Sequence, residues 1–268
     1  MVARAVLVAL AAAPLLAGCG GGKHAAQRKA VDAYLQQVSA VQREARPALT
    51  EANAAYRRFW SKQKTRTDTH ALTHAAATIR ALRTRMSRFD PPPDARAIHR
   101  DLLRFLDLEA SFAQEVSRLG RYLPETAPPL ADLAGASKRL RRDFAKAHTA
   151  VAQSRVVSAY GIAVRSVATR LSRLAPPRAL RRWHRELVQR LERVAATAST
   201  LNVVLNGKSR AAIIPAATAF RNAVALASPP APVLRSALIR FNAGADEIST
   251  LAAKIRNEYS ALDTKLLG

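Results

Sequence analysis

Residues 180–205, LRRWHRELVQRLERVAATASTLNVVL, contain the most regular apolar pattern in the chain. The apolar positions follow one another at steps of three or four residues: Leu180, Trp183, Leu187, Leu191, Val194, Ala198, Leu201 and Leu205. A repeat of about 3.5 residues is typical of the seam of a coiled coil or a four-helix bundle. Arginines occupy the opposite face. The stretch therefore predicts an amphipathic helix that packs against other helices.

Two further helices are predicted before the first run of prolines. An apolar stripe over residues 24–62 predicts a long first helix, in which Pro47 should cause a kink or a break near Arg46. A second helix is predicted at residues 69–89. It ends at Pro91-Pro92-Pro93 because proline lacks an amide donor and restricts the residue before it.

The middle of the chain predicts a third helix, a connector and a fourth helical region. Asp94 belongs to the residue types that cap helix N-termini, so we expect it to cap the third helix. Residues 122–129 contain two proline sites and predict a connector. The fourth region covers residues 130–174, with a break expected at residues 154–161.

The C-terminal third predicts two more helices after the seam helix. Asn206-Gly207 is a good helix stop, and Ser209 is the expected N-cap of the sixth helix. Pro229-Pro230 should end that helix. Pro232 suits the first turn of a seventh helix that extends to about residue 266.

An internal repeat with an offset of 85 residues underlies this pattern. Residues 89–103 align without gaps to residues 174–188, and each copy contains a Pro-Pro pair followed by a histidine. His99 and His184 are therefore equivalent. A weaker third copy surrounds Pro229-Pro230 and has alanine at the histidine position. We interpret the repeat as a duplicated helical hairpin in which two helices meet at a diproline corner.

Together these patterns predict an all-α fold with six to eight amphipathic helices in antiparallel, up-and-down bundles. The connections are short, so sequential helices should be antiparallel neighbours. Two tandem helical units, residues 24–152 and 153–268, are the simplest arrangement. A single long bundle or a rod of hairpins fits the same pattern.

The N-terminus has the three-part layout of a secretory signal. Arg4 precedes an apolar run at residues 5–16, and small residues then lead to Cys19. A bilayer-spanning helix needs about twenty apolar residues, so this run is too short for a permanent span. Leu16-Ala17-Gly18-Cys19 resembles the lipobox of bacterial lipoproteins.

This resemblance implies that residues 1–18 are a signal peptide, cleaved after Gly18, and that Cys19 carries a covalent diacylglycerol with palmitate as an expected acyl chain. Residues 19–23 would then form the lipidated cysteine and a glycine-rich tether. Lipidation would also explain the single cysteine of an exported chain. Beyond the lipobox, the chain resembles only uncharacterised helical lipoproteins of GC-rich bacteria.

The resemblance also implies an extracytoplasmic location in the cell envelope. The lipid would anchor the protein to the cell membrane, or to an outer membrane where the organism has one. Two acyl chains are sufficient for stable anchoring, since each buried CH₂ contributes roughly 0.8 kcal/mol.

The histidines are the candidate ligands for a metal or a small molecule. His99 and His184 could ligate a metal or a haem between the repeated units, and this is our alternative function. The other interpretation is a partly buried histidine that hydrogen-bonds a corner carbonyl and fixes the turn. His70 and His74 are spaced for chelation on one helix face, but no Glu-x-x-His motif accompanies them, which favours two surface histidines.

No catalytic motif is present in the sequence. It contains no Gly-x-Ser-x-Gly, no His-Glu-x-x-His, no glycine-rich phosphate loop and no Cys-x-x-Cys-His. We therefore expect no enzymatic activity and no cofactor other than the diacylglycerol at Cys19.

Charge is the remaining functional signal. The chain has 43 Lys and Arg against 19 Asp and Glu, a net charge of +24. The basic positions that we expect to form a surface are Arg139, Arg141, Arg142, Arg178, Arg182, Arg185 and Arg193. Such a surface attracts polyanions, unless it is only a solvated face that confers solubility.

In the envelope, the expected partners of this basic surface are anionic lipids, acidic wall polymers or an unknown protein. Extracellular DNA is a further polyanion outside the cytoplasmic membrane, but nucleic acid is not expected, because the predicted location disfavours it and no nucleic-acid-binding motif is present.

Overall fold

The computed structural model describes residues 23–60, 66–207, 209–227 and 231–267. Within these ranges the chain forms seven α-helices and three short 3₁₀ turns, and it contains no β-strand. The helices are α1 (Lys23–Trp60), α2 (Arg66–Met86), α3 (Arg96–Phe144), α4 (Ala150–Ser172), α5 (Arg181–Asn206), α6 (Ile213–Ala225) and α7 (Ala231–Leu267). The predicted all-α helical bundle is confirmed.

The helices form two compact units. Unit 1 contains the described residues up to Gly120 and those from Arg240 onward, and unit 2 contains residues 121–239. These bounds differ from the predicted division after residue 152. The difference has two causes: the C-terminal part of α3 packs into the core of unit 2, and the C-terminal part of α7 packs into the core of unit 1.

Unit 1 is built on an apolar core between α1, α2, the N-terminal part of α3 and α7. Its buried residues include Val31, Val38 and Val41 of α1, Leu82 and Met86 of α2, Ile98, Leu102 and Phe105 of α3, and Ile248, Ala252 and Ile255 of α7. Each helix contributes one apolar face, which is the pattern of a four-helix bundle.

Asp94 does not cap α3, contrary to the sequence prediction. Pro92 holds the cap position before the 3₁₀ turn Pro93–Ala95, and no side chain forms a capping hydrogen bond there. The Asp94 carboxylate instead accepts hydrogen bonds from Gln27 of α1 and from Lys265 of α7, the latter at 2.8 Å. Its role is therefore to connect the corner to two other helices of unit 1.

Unit 2 contains the α4–α5 hairpin, α6 and the C-terminal part of α3 around a second apolar core. The predicted seam of α5 is confirmed, since all its positions are buried except Trp183, which is half-buried. The two hairpin helices approach closely at Gly161. A Cβ atom added there would lie 2.9 Å from the Ala198 Cβ.

The predicted connector at residues 122–129 is wrong, because α3 continues through Pro124, Pro128 and Pro129. Tyr122, Thr126 and Pro129 are buried in unit 2. The Thr126 hydroxyl also donates to the Tyr122 carbonyl oxygen at 3.0 Å. Tertiary burial of this segment therefore outweighs the local preference of proline for helix ends.

Two other predicted interruptions differ from the structure. α1 is continuous through Pro47, so no break occurs near Arg46. The break in the fourth region lies at residues 145–149 rather than 154–161, and α4 is continuous beyond it. Ser154 is instead buried within α4 and its hydroxyl donates to Asn202 Oδ1 of α5 at 2.6 Å.

The duplicated diproline corner predicted from the sequence is present in the backbone of both units. The turns Pro93–Ala95 and Arg178–Leu180 begin 85 residues apart, as do α3 and α5. Equivalent backbone hydrogen bonds have matching lengths: Phe89 N to Met86 O (3.0 Å) and Leu174 N to Leu171 O (2.9 Å), then Ala95 N to Pro92 O and Leu180 N to Pro177 O (both 2.9 Å). The two corners therefore share one local fold.

The C-terminal predictions have mixed outcomes. α5 ends at Asn206 with Gly207 after it, as predicted. Ser209 precedes the short turn Arg210–Ala212 but its side chain makes no capping hydrogen bond, so that prediction is wrong. Pro229-Pro230, the centre of the third copy, lies outside the described residues.

Candidate functional site

Each of the two repeated histidines forms a hydrogen bond with a tyrosine from a neighbouring helix of its own unit. Tyr34 Oη of α1 lies 3.0 Å from His99 Nδ1 in unit 1, and Tyr122 Oη of α3 lies 2.9 Å from His184 Nδ1 in unit 2. Both ring pairs are edge-on, with centroids 5.9 Å and 5.6 Å apart. The duplication therefore includes a Tyr–His pair in each unit.

Burial favours the neutral form of all four of these side chains. It lowers the pKa of His99 and of His184, and it raises the pKa of Tyr34 and of Tyr122. Tyr34 also lies near the Tyr259 hydroxyl, which adds to the rise in its pKa. In either histidine tautomer, the hydrogen bond satisfies two buried polar groups.

This geometry corrects the expected partner of the histidines. The sequence suggested a partly buried histidine that hydrogen-bonds a corner carbonyl. His99 and His184 are buried, but the partner of Nδ1 is a tyrosine hydroxyl and not a corner carbonyl. The tyrosines were missed because they are 88 residues apart, outside the 85-residue alignment. The signal was a Tyr-Leu dipeptide in each copy, at residues 34–35 and 122–123.

The described residues bring few potential metal ligands together. In the part of the chain that the structure describes, no group of three or more His, Cys, Asp or Glu side chains converges. His70 and His74 are both exposed on α2. His99 and His184 lie in different units, and each has its Nδ1 atom engaged by tyrosine.

The basic surface lies on unit 2. Its seven predicted positions are all exposed: Arg139, Arg141, Arg142, Arg178, Arg182, Arg185 and Arg193. Residues 121–239 contain twenty Lys and Arg but only five Asp and Glu, so the other fourteen acidic residues belong to the rest of the chain. Residues 121–239 therefore carry a net charge of +15 (20 − 5), against +9 (23 − 14) for the rest of the chain.

Ion pairs neutralise only part of this surface. They include Arg142 Nε–Asp143 (2.8 Å), Arg170–Asp132 (2.6 Å) and Arg182–Glu186 (2.9 Å). The pKa of Asp143 is lowered chiefly by its hydrogen bond with Arg142, with further contributions from Lys146 and Arg139. Residues 121–239 contain only five carboxylates for twenty cations, and every described Lys and Arg in this range except the half-buried Arg190 is exposed.

An open depression of about 450 Å³ lies on the exposed face of α4. The described residues that line it are Ile162, Arg165, Ser166, Thr169, Arg170 and Arg173. Its polar side chains are three guanidinium groups and two hydroxyls, all of which can donate hydrogen bonds, and the guanidinium of Arg170 also pairs with Asp132. Such a set fits a phosphate or carboxylate group.

Glu109 is a buried titratable residue that the sequence analysis did not single out. It lies on the buried face of α3 in unit 1, is 1% exposed, and its Oε2 atom has no hydrogen-bond partner among the described residues. Burial raises its pKa to about 8. The available signals were its position four residues after Phe105, which puts both on one helix face, and its alignment with Val194 in the repeat.

The predicted signal peptide, Gly18 and Cys19 all lie outside the described residues. None of the described helices has the length and apolar character needed to cross a membrane. No protein family, curated protein or solved structure matches this chain.

Proposed function

We propose that this protein is a non-catalytic, extracytoplasmic lipoprotein whose basic unit 2 surface binds anionic lipid at the membrane to which Cys19 anchors it. The observation that carries the proposal is the segregation of charge, since residues 121–239 combine twenty basic with five acidic residues. The lipobox supplies the second argument, because a lipid anchor would hold this surface close to headgroups.

Electrostatic attraction of this kind can contribute substantially to the free energy of membrane binding. Each basic residue close to an anionic leaflet contributes on the order of 1 kcal/mol, and the effect falls off within a Debye length. The anchor would raise the effective concentration of headgroups around unit 2. Even a modest intrinsic affinity would then keep the surface occupied.

The direct test is vesicle binding by residues 23–268, which retain every described helix. We expect sedimentation with phosphatidylglycerol vesicles at low salt, little sedimentation with phosphatidylcholine vesicles, and release from the anionic vesicles as salt increases. Screening is the reason, since the Debye length falls from about 10 Å at 0.1 M to about 3 Å at 1 M. No binding to anionic vesicles at low salt would refute the proposal.

The anchor has its own test in cells. Intact mass and membrane fractionation of the native protein should show a diacylglyceryl mass on Cys19, and Cys19→Ala should remove both the mass and the membrane association. A native protein that is unmodified and not membrane-associated would contradict the lipoprotein assignment.

The alternative function, a metal- or small-ligand-binding bundle that uses His99 and His184, stays a prediction. Metal analysis and an absorption spectrum of the purified protein distinguish it from the first proposal. A stoichiometric metal or a visible chromophore that His184→Gln removes would favour the alternative.

A further inference from the structure

The two diproline corners have the same backbone conformation but very different net charges. The residues before the two 3₁₀ turns, Pro92 and Pro177, have nearly the same backbone angles: φ −59° and ψ 156°, against φ −54° and ψ 152°. Residues 87–100 carry three Arg and two Asp, whereas the equivalent residues 172–185 carry five Arg and no acidic residue. The net charge therefore rises from +1 to +5 on the same local fold.

Four substitutions between the copies account for this difference. Asp90 and Asp94 of the first corner correspond to Ala175 and Ala179 of the second, and Pro93 and Ala97 correspond to Arg178 and Arg182. All four changes make the second corner more positive. Its five arginines, which we call the arginine corner, are all exposed: Arg173, Arg178, Arg181, Arg182 and Arg185.

The position of these cations is unfavourable for the helix itself. The first turn of α5 contains no acidic residue, and positive charges near a helix N-terminus oppose the helix dipole by about 0.3–1 kcal/mol each. The first turn of α3 also lacks an acidic residue, but the 3₁₀ turn before it contains Asp94, which Lys265 and Gln27 hold in place. A bound anion would offset the unfavourable charge in the second corner.

The arginine corner is continuous with the depression on α4. Arg173 belongs to both, and Arg165 and Arg170 extend the cationic lining along α4. Ile162, which is 67% exposed, adds an apolar side chain at the other end of the depression. The combination of guanidinium groups, hydroxyls and an exposed aliphatic side chain matches a phosphate group attached to a lipid.

We infer that the arginine corner and the adjoining depression are the part of unit 2 that binds the phosphate of an anionic phospholipid headgroup. This inference rests on the proposed function, and it assigns the contact to one end of the α4–α5 hairpin. Guanidinium groups pair with phosphate oxygens through two parallel hydrogen bonds, which gives the corner a chemical preference beyond its charge.

The test converts the second corner to the sequence of the first. The quadruple variant Ala175→Asp, Arg178→Pro, Ala179→Asp and Arg182→Ala removes two positive charges and adds two negative ones, so the net charge falls by four. The first corner shows that this sequence supports the same turn. We expect its affinity for phosphatidylglycerol vesicles to fall at least about tenfold at 0.1 M salt. Circular dichroism checks that the helices are retained.

A matched control removes the same charge from other parts of unit 2. Arg139, Arg141, Arg155 and Arg193 are exposed outside the corner, and changing all four to Gln also lowers the net charge by four. We expect this variant to lose much less affinity than the corner variant. The milder pair Arg178→Gln and Arg182→Gln repeats the test without a new proline.

The outcomes separate the two proposals. Equal losses in the corner variant and in its matched control would overturn the corner assignment while leaving the electrostatic function intact. Absence of binding by the unsubstituted chain would overturn both. Binding to soluble poly(glycerol phosphate) without binding to vesicles would overturn the lipid assignment in favour of a wall polymer.

Discussion

Glu109 makes the stability of unit 1 depend on pH in a direction that its burial determines. The carboxyl group is 1% exposed, and its pKa is raised to about 8 because burial disfavours the charged form. In the unfolded chain the group titrates near 4.5. Between these values the folded state binds more protons than the unfolded state. The stabilising effect of the proton is therefore complete below about pH 4.5 and is lost as pH rises through about 8.

The magnitude follows from the two pKa values. Each pKa unit corresponds to about 1.4 kcal/mol, so the contribution of Glu109 changes by roughly 5 kcal/mol over the whole window. By pH 7 the contribution of Glu109 to the free energy of unfolding has already fallen by about 3 kcal/mol, which is the greater part of the change. The variant Glu109→Gln keeps the shape of the protonated acid without its titration. We therefore expect it to be more stable than the native chain at pH 8 and nearly equal to it at pH 4.5.

The measurement is urea denaturation followed by circular dichroism at pH 4.5, 6 and 8, with hydrogen exchange in residues 96–120 to assign the change to unit 1. Glu109→Val, which copies the equivalent Val194, should also be less pH-dependent than the native chain. Glu125→Gln changes an exposed carboxylate on the same helix and serves as the control. Parallel stability curves for the native chain and Glu109→Gln would refute the reasoning.

Three further predictions concern unit 2. Tyr122→Phe removes the partner of His184 Nδ1 and should lower the free energy of unfolding by about 1–3 kcal/mol, measured by denaturant titration. Because burial lowers the pKa of His184, the folded state resists its protonation. Stability should therefore fall as pH drops below about 6.5, and His184→Gln should reduce that fall in the same titration. Gly161→Ala places a methyl group 2.9 Å from the Ala198 Cβ and should destabilise the hairpin by about 1–3 kcal/mol; Ala198→Gly in the same chain should restore part of the loss.

The sequence predicts helices well where periodicity and termination agree. α5 combines a regular seam with Pro176-Pro177 before it and Gly207 after it, and each of these signals is local. At residues 122–129 the local signals are misleading. The prolines favour a connector, but burial of Tyr122, Thr126 and Pro129 stabilises a continuous helix. Packing contacts decide the outcome there, and a single sequence does not reveal them.

Contacts between distant parts of the chain explain the other differences. The predicted division places all of α7 in the second unit, whereas its residues from Arg240 onward belong to unit 1. That association depends on residues far apart in sequence, such as Lys254 with Asp101 and Lys265 with Asp94. The repeat was visible because its alignment has no gap. The Tyr–His pairs were not visible, because Tyr34 and Tyr122 lie on the helices that precede the two hairpins. These tyrosines are separated by three residues more than the 85-residue offset of the histidines.

The comparison of the two corners indicates that different requirements act on their buried and exposed positions. The buried sites keep their character, with His99 matching His184 and Leu102 matching Leu187. Random change on a solvated face would alter charge in both directions, but all four charge-altering differences make the second corner more positive. In unit 1, the acidic Asp94 connects helices. The equivalent residue of unit 2 is Ala179, which has no carboxylate to connect helices in this way. The arginines around it instead favour the binding of an external anion.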